Sequence, residues 1–223
     1  MSYSLDFSSF APYAQAFAYG AWITLKISIL SFLLGTMGGI VLALLFIAAP
    51  GKAVLLIIND MFRALPPLVL IFFIYFFPYK DVFDVIPPGP VACTIFGLAF
   101  AQAAYTADIT YHAHLNVSPA LVDAGRALGL GGWDIWARLV WPDILRQTLP
   151  AQVAFFIGIV RLSSLGAVIG AQDVVNIARI AIAQNFRSIE AWIIVGAIYI
   201  IMITPLTFMA RSLERSSWLR RRF

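Results

Sequence analysis

Long apolar segments recur along this chain of 223 residues, and charged or proline-containing positions divide them into five stretches. An α-helix needs about 20 predominantly apolar residues to cross the hydrocarbon core of a bilayer. The pattern therefore predicts an all-α fold, a polytopic membrane bundle of about five transmembrane helices. The predicted spans are residues 22–48, 53–78, 90–111, 147–169 and 189–210.

Composition agrees with this pattern, because 61% of the residues are hydrophobic and only 12% are charged. A soluble domain carries about 25% charged residues. We expect one transmembrane domain over residues 1–223. The single cysteine, Cys93, excludes a disulfide within the chain. His112 and His114 are two positions apart and point in different directions on a helix, so no metal site is predicted.

The flanking charges predict an orientation, because cytoplasmic loops carry an excess of Lys and Arg. The N-terminal flank contains Asp6 and no basic residue, and the loop after the second span is net negative. We therefore expect the N-terminus outside, the C-terminus in the cytoplasm, and the polar segment 118–146 in the cytoplasm. The basic residues of the C-terminal tail are Arg211, Arg215, Arg220, Arg221 and Arg222.

The polar segment 118–146 predicts two short helices joined by a sharp bend. Ser118 and Pro119 suit the N-cap and the first position of a helix. Gly129 suits the left-handed residue that ends it. Gly131 and Gly132 indicate a turn, and a second short helix is expected over 133–141, limited by Pro142.

The first of these helices has the composition of a helix that sits in a groove on a partner protein. Asp123 offers a surface carboxylate, and the small residues Ala124 and Gly125 would allow another backbone to approach closely. An amphipathic linker that contacts only lipid is the alternative. Tryptophan favours the headgroup level of a membrane, and the segment contains three such residues, Trp133, Trp136 and Trp141.

The spacing of this segment resembles the cytoplasmic signature of bacterial ATP-binding-cassette importer permeases. That signature is Glu-Ala-Ala, three residues, Gly, nine residues, then Ile-x-Leu-Pro. Asp123-Ala124-Gly125, Gly129 and Leu139-Val140-Trp141-Pro142 stand in the same places, with Asp for Glu, Gly for the second Ala, and Leu and Trp for Ile and Leu. The resemblance implies that this coupling helix docks into a nucleotide-binding subunit through Asp123, Ala124, Gly125, Leu128 and Gly129.

Four further segments, in the same order, resemble the polar amino acid permease group, which includes histidine, glutamine and opine permeases. They are Gly20–Ser28, Phe62–Leu68, Ala104–Ile109 and Ser164–Gly170, and the likeness extends over residues 18–216. The resemblance implies an importer in which ATP binding and release move the coupling helix and switch the spans between outward- and inward-open states.

Ionisable residues at membrane depth are costly and need a reason. Arg63 precedes Pro66 and Pro67, which must break the second span, so we expect it to cap the freed carbonyls or to anchor to phosphates. Asp108 is expected either to pair with Arg63, Arg126 or a tyrosine of its own helix, or to lie on the transport path. The structural interpretation is favoured for both residues.

Arg161, Ser163 and Ser164 form the sharper hypothesis for a substrate path. In the permeases that this chain resembles, the segment often reads Lys-Asp-Thr-Ser and lines the path. We expect these three residues to face a central cavity and to meet a substrate carboxylate or a residue of a partner permease. The alternative is that helix-end carbonyls satisfy Arg161. Leu162 replaces the acid, so this chain alone does not supply a negative charge there.

The chain has no GxxxxGK[ST] motif, so we expect that it does not bind ATP phosphates itself and holds no cofactor. An intramembrane enzyme would need a Glu/His cluster or a Ser/His pair at helical spacing, and Glu190 stands alone while the two histidines are poorly spaced, so we expect no enzyme activity. The resemblance implies that ATP and Mg²⁺ are bound by two separate nucleotide-binding subunits, and that an extracytoplasmic solute-binding protein delivers the solute. A related permease is the expected partner within a heterodimer, and a homodimer is the alternative. The expected location is the bacterial plasma membrane. No nucleic-acid partner is expected. A passive channel without an ATPase is the alternative function.

Overall fold

The structure, a computed structural model, describes residues 5–215, with side chains described as far as residue 212. All regular elements in this range are helical, as the apolar pattern predicted. A 3₁₀ turn at Ser8–Tyr13 leads into α1. The α-helices are α1 Ala14–Ala48, α2 Lys52–Ala64, α3 Pro67–Phe76, α4 Tyr79–Phe83, α5 Pro90–Leu115, α6 Pro119–Ala127, α7 Gly132–Ile135, α8 Trp141–Leu162, α9 Val174–Asn185 and α10 Ser188–Arg215.

Within the described residues, four helical stretches are long and apolar enough to cross a membrane: Ser8–Ala48, Pro90–Leu115, Gly132–Ile169 and Ser188–Ser212. A fifth candidate is α2 with α3, which are bent by 94° across their break. The prediction of about five spans is thus confirmed as four to five. The orientation stays a prediction, and three of the arginines behind it, Arg220 to Arg222, lie outside the described residues.

Helix α1 packs along α5 in the most extensive helix pair of the fold. Small residues allow this approach. A Cβ added at Gly35 would lie 2.6 Å from the Gln102 Cβ, and one at Gly39 would lie 2.5 Å from the Thr106 Cβ and 2.6 Å from the Ala103 carbonyl oxygen. Because membrane helices lack a hydrophobic driving force for association, close packing of this kind supplies much of their stability.

Buried polar side chains join α5 to α8 inside the bundle. Gln102 Nε2 donates to Gln152 Oε1 at 3.1 Å and to Thr106 Oγ1 at 3.0 Å. Gln152 Nε2 in turn donates to Thr106 Oγ1 at 3.2 Å. All three residues are less than a tenth exposed. Burying amides without partners would be costly, so this closed network holds α5 and α8 in one register.

The prediction of a separate short helix over residues 133–141 is wrong. Helical structure runs without a break from Gly132 to Leu162, and Trp136–Val140 form a π-helical turn. The Trp141 N–H bonds to the Trp136 carbonyl, five residues back. This wider turn shifts the hydrogen-bond register directly before Pro142, so the missing proline N–H does not end the helix.

The fourth span was predicted as α-helix through residue 169, but the α-helix ends at Leu162. Residues Ser163–Ile169 form a 3₁₀ segment, and Gly170, with φ +86°, reverses the chain. Helix α9 follows, in a region where no helix was predicted. It packs on α1, α10 and the 3₁₀ segment. At 12 residues it is too short to span a bilayer.

Candidate coupling and transport site

Helix α6 ends in a complete Schellman motif, as Gly129 predicted. The Leu130 N–H bonds to the Gly125 carbonyl at 3.1 Å, and the Gly129 N–H bonds to the Arg126 carbonyl at 2.9 Å. Gly129 has φ +74°, a conformation that glycine adopts without steric cost. The start differs from the expectation, because the Ser118 side chain makes no cap hydrogen bond. Pro119 at the first position has no N–H, so one fewer N–H group at this helix start is left without a partner.

Gly125 faces the chain itself, and the expected role in approach of a partner backbone is wrong for this residue. It is buried, and an added Cβ would lie 2.8 Å from Leu139 Cδ1 and 3.0 Å from Ile135 Cγ1. The glycine that departs from the signature therefore lets α6 pack closely against α7 and the π turn. This contact sets the angle of the bend between α6 and the following helix.

The opposite face of α6 is open. Asp123 and Ala124 are exposed, and Asp123 Oδ1 accepts from Arg126 Nη1 at 3.2 Å on the surface. Leu128 is 79% exposed and Trp133, beyond the bend, is 75% exposed. Large apolar side chains this exposed beside a polar bend are typical of a contact surface. Four of the five predicted coupling residues thus lie on the accessible side or at the bend, and Gly125 supports them from beneath.

The three tryptophans form a stacked ladder along the helix that leaves the bend. The ring centroids of Trp133 and Trp136 are 5.7 Å apart, and those of Trp136 and Trp141 are 5.4 Å apart, each pair with an interplanar angle of 19°. Arg138 Nε bonds to Asp134 Oδ1 at 3.0 Å beside the ladder. The stacked rings run along the helix on both sides of the π turn and connect the bend to the start of α8.

At the break between α2 and α3, Arg63 pairs with acids and does not cap the freed carbonyls. Its Nη1 lies 2.9 Å from Asp108 Oδ1 and 3.1 Å from Asp60 Oδ1. Pro67 has no N–H for the Arg63 carbonyl, and the Tyr105 hydroxyl donates to that oxygen at 3.3 Å. The Tyr105 ring also lies under the guanidinium, 5.4 Å from its Cζ. Asp108 therefore has a structural partner, one of those that the sequence suggested.

Arg161 and the two serines behave differently from one another. Arg161 is exposed at the end of α8, and its guanidinium makes no hydrogen bond or ion pair with the residues that the structure describes. Ser163 is fully buried and donates to the Val160 carbonyl at 2.8 Å. Ser164 is half-buried and donates to the Arg161 carbonyl at 2.8 Å. Of the three, only Arg161 and Ser164 are accessible in this conformation.

Sequence reasoning missed Asp173, Arg179 and Tyr199. Asp173 caps α9, because its Oδ1 accepts from the Asn176 N–H at 2.8 Å. Arg179 Nη1 donates to the Ala167 carbonyl of the 3₁₀ segment at 3.0 Å. One signal was available: an Asp directly before apolar positions at helical spacing, Val174, Ile177, Ala178 and Ala181, indicates a helix start.

Comparison with known proteins identifies the type of molecule. The family model of binding-protein-dependent transport system inner membrane components matches residues 35–218. The chain is 32% identical over 216 residues to the glutamine transport system permease protein GlnP of Escherichia coli strain K12, covering 94% of this chain and 96% of that protein. It is 30% identical over 215 residues to the octopine transport system permease protein OccM of Rhizobium radiobacter, covering 91% and 86%.

Solved structures agree with these relatives. An amino acid ABC transporter crystallised with histidines superposes with a TM-score of 0.84 at 27% identity, covering 96% of this chain and 99% of that one. The methionine ABC transporter MetNI, at 22% identity and a TM-score of 0.74, shares the fold. The chain belongs to the family of inner membrane components of binding-protein-dependent transport systems, and its relatives are membrane permease subunits.

Proposed function

We propose that this chain is the permease subunit of an ATP-driven importer for a polar amino acid or an amino acid derivative in the bacterial plasma membrane. ATP and Mg²⁺ act on two separate nucleotide-binding subunits, and a solute-binding protein delivers solute from outside. The relatives named for glutamine and octopine transport support this solute class. The N-terminus lies outside and the C-terminus in the cytoplasm.

One observation carries the coupling role: α6 presents exposed Asp123, Ala124 and Leu128 on a bend that its own chain packs rigidly from behind. An apolar residue that is 79% exposed contributes little to folding, so Leu128 is available to fill a groove on a partner. The buried contact beneath Gly125 and the stacked tryptophans transmit the movement of α6 to α8.

Replacement of Leu128 by Ala tests docking without disturbing the fold. We expect a loss of solute-stimulated ATPase activity in the assembled complex of roughly tenfold or more, with unchanged thermal stability of the permease. Leu115→Ala, at a residue that is 55% exposed in the same part of the chain, is the control. Normal coupling in Leu128→Ala would contradict a docking role for this surface. Purification of the wild-type permease without any ATPase subunit would favour a passive channel.

Arg161 supports a role on the substrate path, because it is a cation inside a candidate span, at the end of α8, and its guanidinium has no partner among the described residues. A substrate carboxylate or an acid of a related permease would neutralise it. Two identical subunits would bring two such arginines to the same assembly, which supports a heterodimer. The experiment compares Arg161→Ala with Arg161→Lys in proteoliposomes. We expect weaker solute affinity in the first and partial recovery in the second, whereas wild-type transport by both would remove Arg161 from the path.

A further inference from the structure

Charged side chains join the N-terminal segment to the turn between α9 and α10. Glu190, in the first turn of α10, is fully buried and accepts from the Asp6 N–H at 3.1 Å and from Arg187 Nη1 at 3.0 Å. Arg187 Nη2 also lies 3.6 Å from Asp6 Oδ2. A buried carboxylate is costly unless it is paired in this way. These three residues, called the N-terminal pin below, therefore fix the start of the chain on the α9–α10 turn.

The N-terminal pin lies at the end of the bundle opposite the bend that carries α6. Helices α1 and α5 run in the same direction, because Ser31 Oγ donates to the Ile95 carbonyl at 3.1 Å and, further along both helices, the rings of Phe46 and Tyr111 pack edge to face. The pin stands at the start of α1, whereas α6 follows the end of α5. The proposed function places α6 in the cytoplasm, so the pin is on the outer side of the membrane.

Helix α1 is longer than a bilayer requires, and its first part projects on the outer side. Its 35 residues extend over about 52 Å, whereas the hydrocarbon core is about 30 Å thick. The uncharged residues 27–48 account for that thickness. Lys26 and Trp22, both exposed, then lie at the headgroup level, which suits a snorkelling cation and a tryptophan. Residues 14–21 therefore extend into the aqueous phase by roughly 12 Å.

The turn between α9 and α10 reaches the same aqueous level. Helix α9 begins beside α1, where a Cβ added at Gly20 would lie 3.1 Å from the Asp173 carbonyl oxygen. It ends beside the start of α1, where the Tyr13 hydroxyl donates to Gln184 Oε1. Phe186 follows two residues later. It is therefore outside the level of the lipid headgroups, at the tip of the bundle.

The fold does not account for a phenylalanine at position 186. Phe186 has φ +57° and ψ 21°, the left-handed conformation, which is unfavourable for a bulky residue and free of steric cost for glycine. Its side chain is 85% exposed, so burial within the chain contributes almost nothing. A large aromatic residue that is strained in the backbone and exposed to water indicates a contact with another molecule.

Two more apolar side chains and one anion lie beside this turn. Leu5 and Phe7 are exposed on either side of Asp6, and the N-terminal pin holds Asp6 against the residue that follows Phe186. The Asp6 side chain is itself partly exposed. The hydroxyl and the N–H of Ser8 both donate to Asp6 Oδ1 and lower the pKa of Asp6 below its ordinary 3.8. The turn therefore presents apolar groups around a carboxylate that is ionised at neutral pH.

We propose that Leu5, Asp6, Phe7 and Phe186, the outer surface below, dock the solute-binding protein through an apolar pocket for Phe186 and a basic group for Asp6. The inference rests on the proposed function, which puts this protein outside the membrane. Exposed aromatic anchors dominate the binding energy of many protein interfaces, and complementary charges fix their orientation. Lipid is the less suitable occupant, because the outer surface lies roughly 12 Å beyond the headgroup level.

Titration of the solute-binding protein against the assembled complex in nanodiscs tests the outer surface. The probe is the solute-loaded binding protein that stimulates ATP hydrolysis by the wild-type complex. We expect Phe186→Gly to raise its half-saturating concentration about tenfold, because the anchor is lost, while the thermal stability of the permease is no lower than that of wild type. Asp84→Gly is the matched control, since Asp84 is the other non-glycine residue with positive φ among the described residues. It should keep the wild-type concentration.

A fluorescent label distinguishes a protein from lipid as the occupant. Cys93 is fully buried, so a bimane group on Phe7→Cys reports on the outer surface. We expect its emission to be the same in detergent and in nanodiscs, and to shift to shorter wavelength when the solute-binding protein is added. A shift in nanodiscs without that protein would assign the surface to lipid and overturn the proposal.

The titration separates failure of this inference from failure of the proposed function. If no solute-binding protein stimulates the wild-type complex, the proposed function is contradicted, and the inference with it. If the wild-type complex is stimulated and Phe186→Gly has the same half-saturating concentration, only the inference is overturned. A loss of thermal stability in Phe186→Gly would also overturn it, because the ring would then be needed by the fold.

Discussion

Arg63 Nη1 lies 2.9 Å from Asp108 Oδ1, and this ion pair joins the last turn of α2 to the C-terminal half of α5. The pair stands beside the 94° bend between α2 and α3, where Pro66 and Pro67 interrupt the backbone hydrogen bonds. Both side chains are partly buried, with Asp108 only 18% exposed. Because the break removes helical continuity, side-chain contacts to α5 determine the position of α2.

Replacement of Asp108 by Asn tests whether this acid is structural. Asp60 remains 3.1 Å from Arg63, so we expect a modest loss of stability, about 1 kcal/mol, in thermal unfolding of the purified permease. The double variant Arg63→Gln with Asp108→Asn should lose less than the sum of the single variants. Additive losses, or transport that fails while stability is unchanged, would instead place Asp108 on the transport path.

Tyr105 satisfies a carbonyl that Pro67 leaves without its usual donor. Tyr105→Phe removes the hydroxyl at 3.3 Å from the Arg63 carbonyl but keeps the ring beneath the guanidinium. We expect a loss of about 1 kcal/mol in the free energy of unfolding. Tyr19→Phe, at a residue that is 51% exposed, is the control and should be neutral. Equal stability of both variants would show that the carbonyl finds another donor.

Gly39 and the adjacent Gly38 provide a matched pair on α1. A Cβ at Gly39 would lie 2.6 Å from the Ala103 carbonyl oxygen, which belongs to the backbone and cannot rotate away, whereas one at Gly38 would lie 3.6 Å from its nearest neighbour. We expect Gly39→Ala to destabilise the bundle by roughly 1–3 kcal/mol. Gly38→Ala should be neutral or slightly stabilising, because Ala is the better helix former. Both are measured by thermal unfolding; similar values would contradict the close approach of α1 and α5.

Gly125→Ala tests the packing beneath the coupling helix. The added methyl group would meet the ends of Ile135 and Leu139 at 3.0 and 2.8 Å, so we expect a loss of about 1–3 kcal/mol and a changed bend. Combination with Leu139→Val should restore part of the stability by making room. Ala124→Gly, on the exposed face, changes helix propensity alone and should cost about 1 kcal/mol. If Leu139→Val did not restore stability to Gly125→Ala, the close contact between residue 125 and Leu139 would be contradicted.

Gly129→Val tests whether coupling needs the bend at the end of α6, separately from the exposed side chains of the docking surface. A β-branched residue at φ +74° is strained, so the end of α6 should reorganise and solute-stimulated ATPase activity of the complex should fall. Gly132→Ala, three residues further along with no atom within 4 Å of the added Cβ, is the control. Wild-type coupling in Gly129→Val would indicate that the Schellman bend is dispensable.

Local patterns carried most of the predictions that agree with the structure. The uncharged runs predicted the spanning helices, and Gly129 predicted the end of α6, because both depend on residues that are neighbours in sequence. The same reasoning failed at Pro142, since a π turn changed the hydrogen-bond register before it. It also missed α9, although Asp173 and the helical spacing of the apolar residues after it indicate a helix start.

The sequence by itself determined that this chain is a helical membrane protein with a glycine-terminated bend that carries the signature, because apolar length and glycine geometry are properties of short segments. Only the tertiary structure decided which residues meet. It turned Gly125 inward, paired Arg63 with Asp108, left the Arg161 side chain without a partner among the described residues, and buried Asp173 at the start of α9. These outcomes depend on distances between helices that are far apart in the chain, and packing sets those distances.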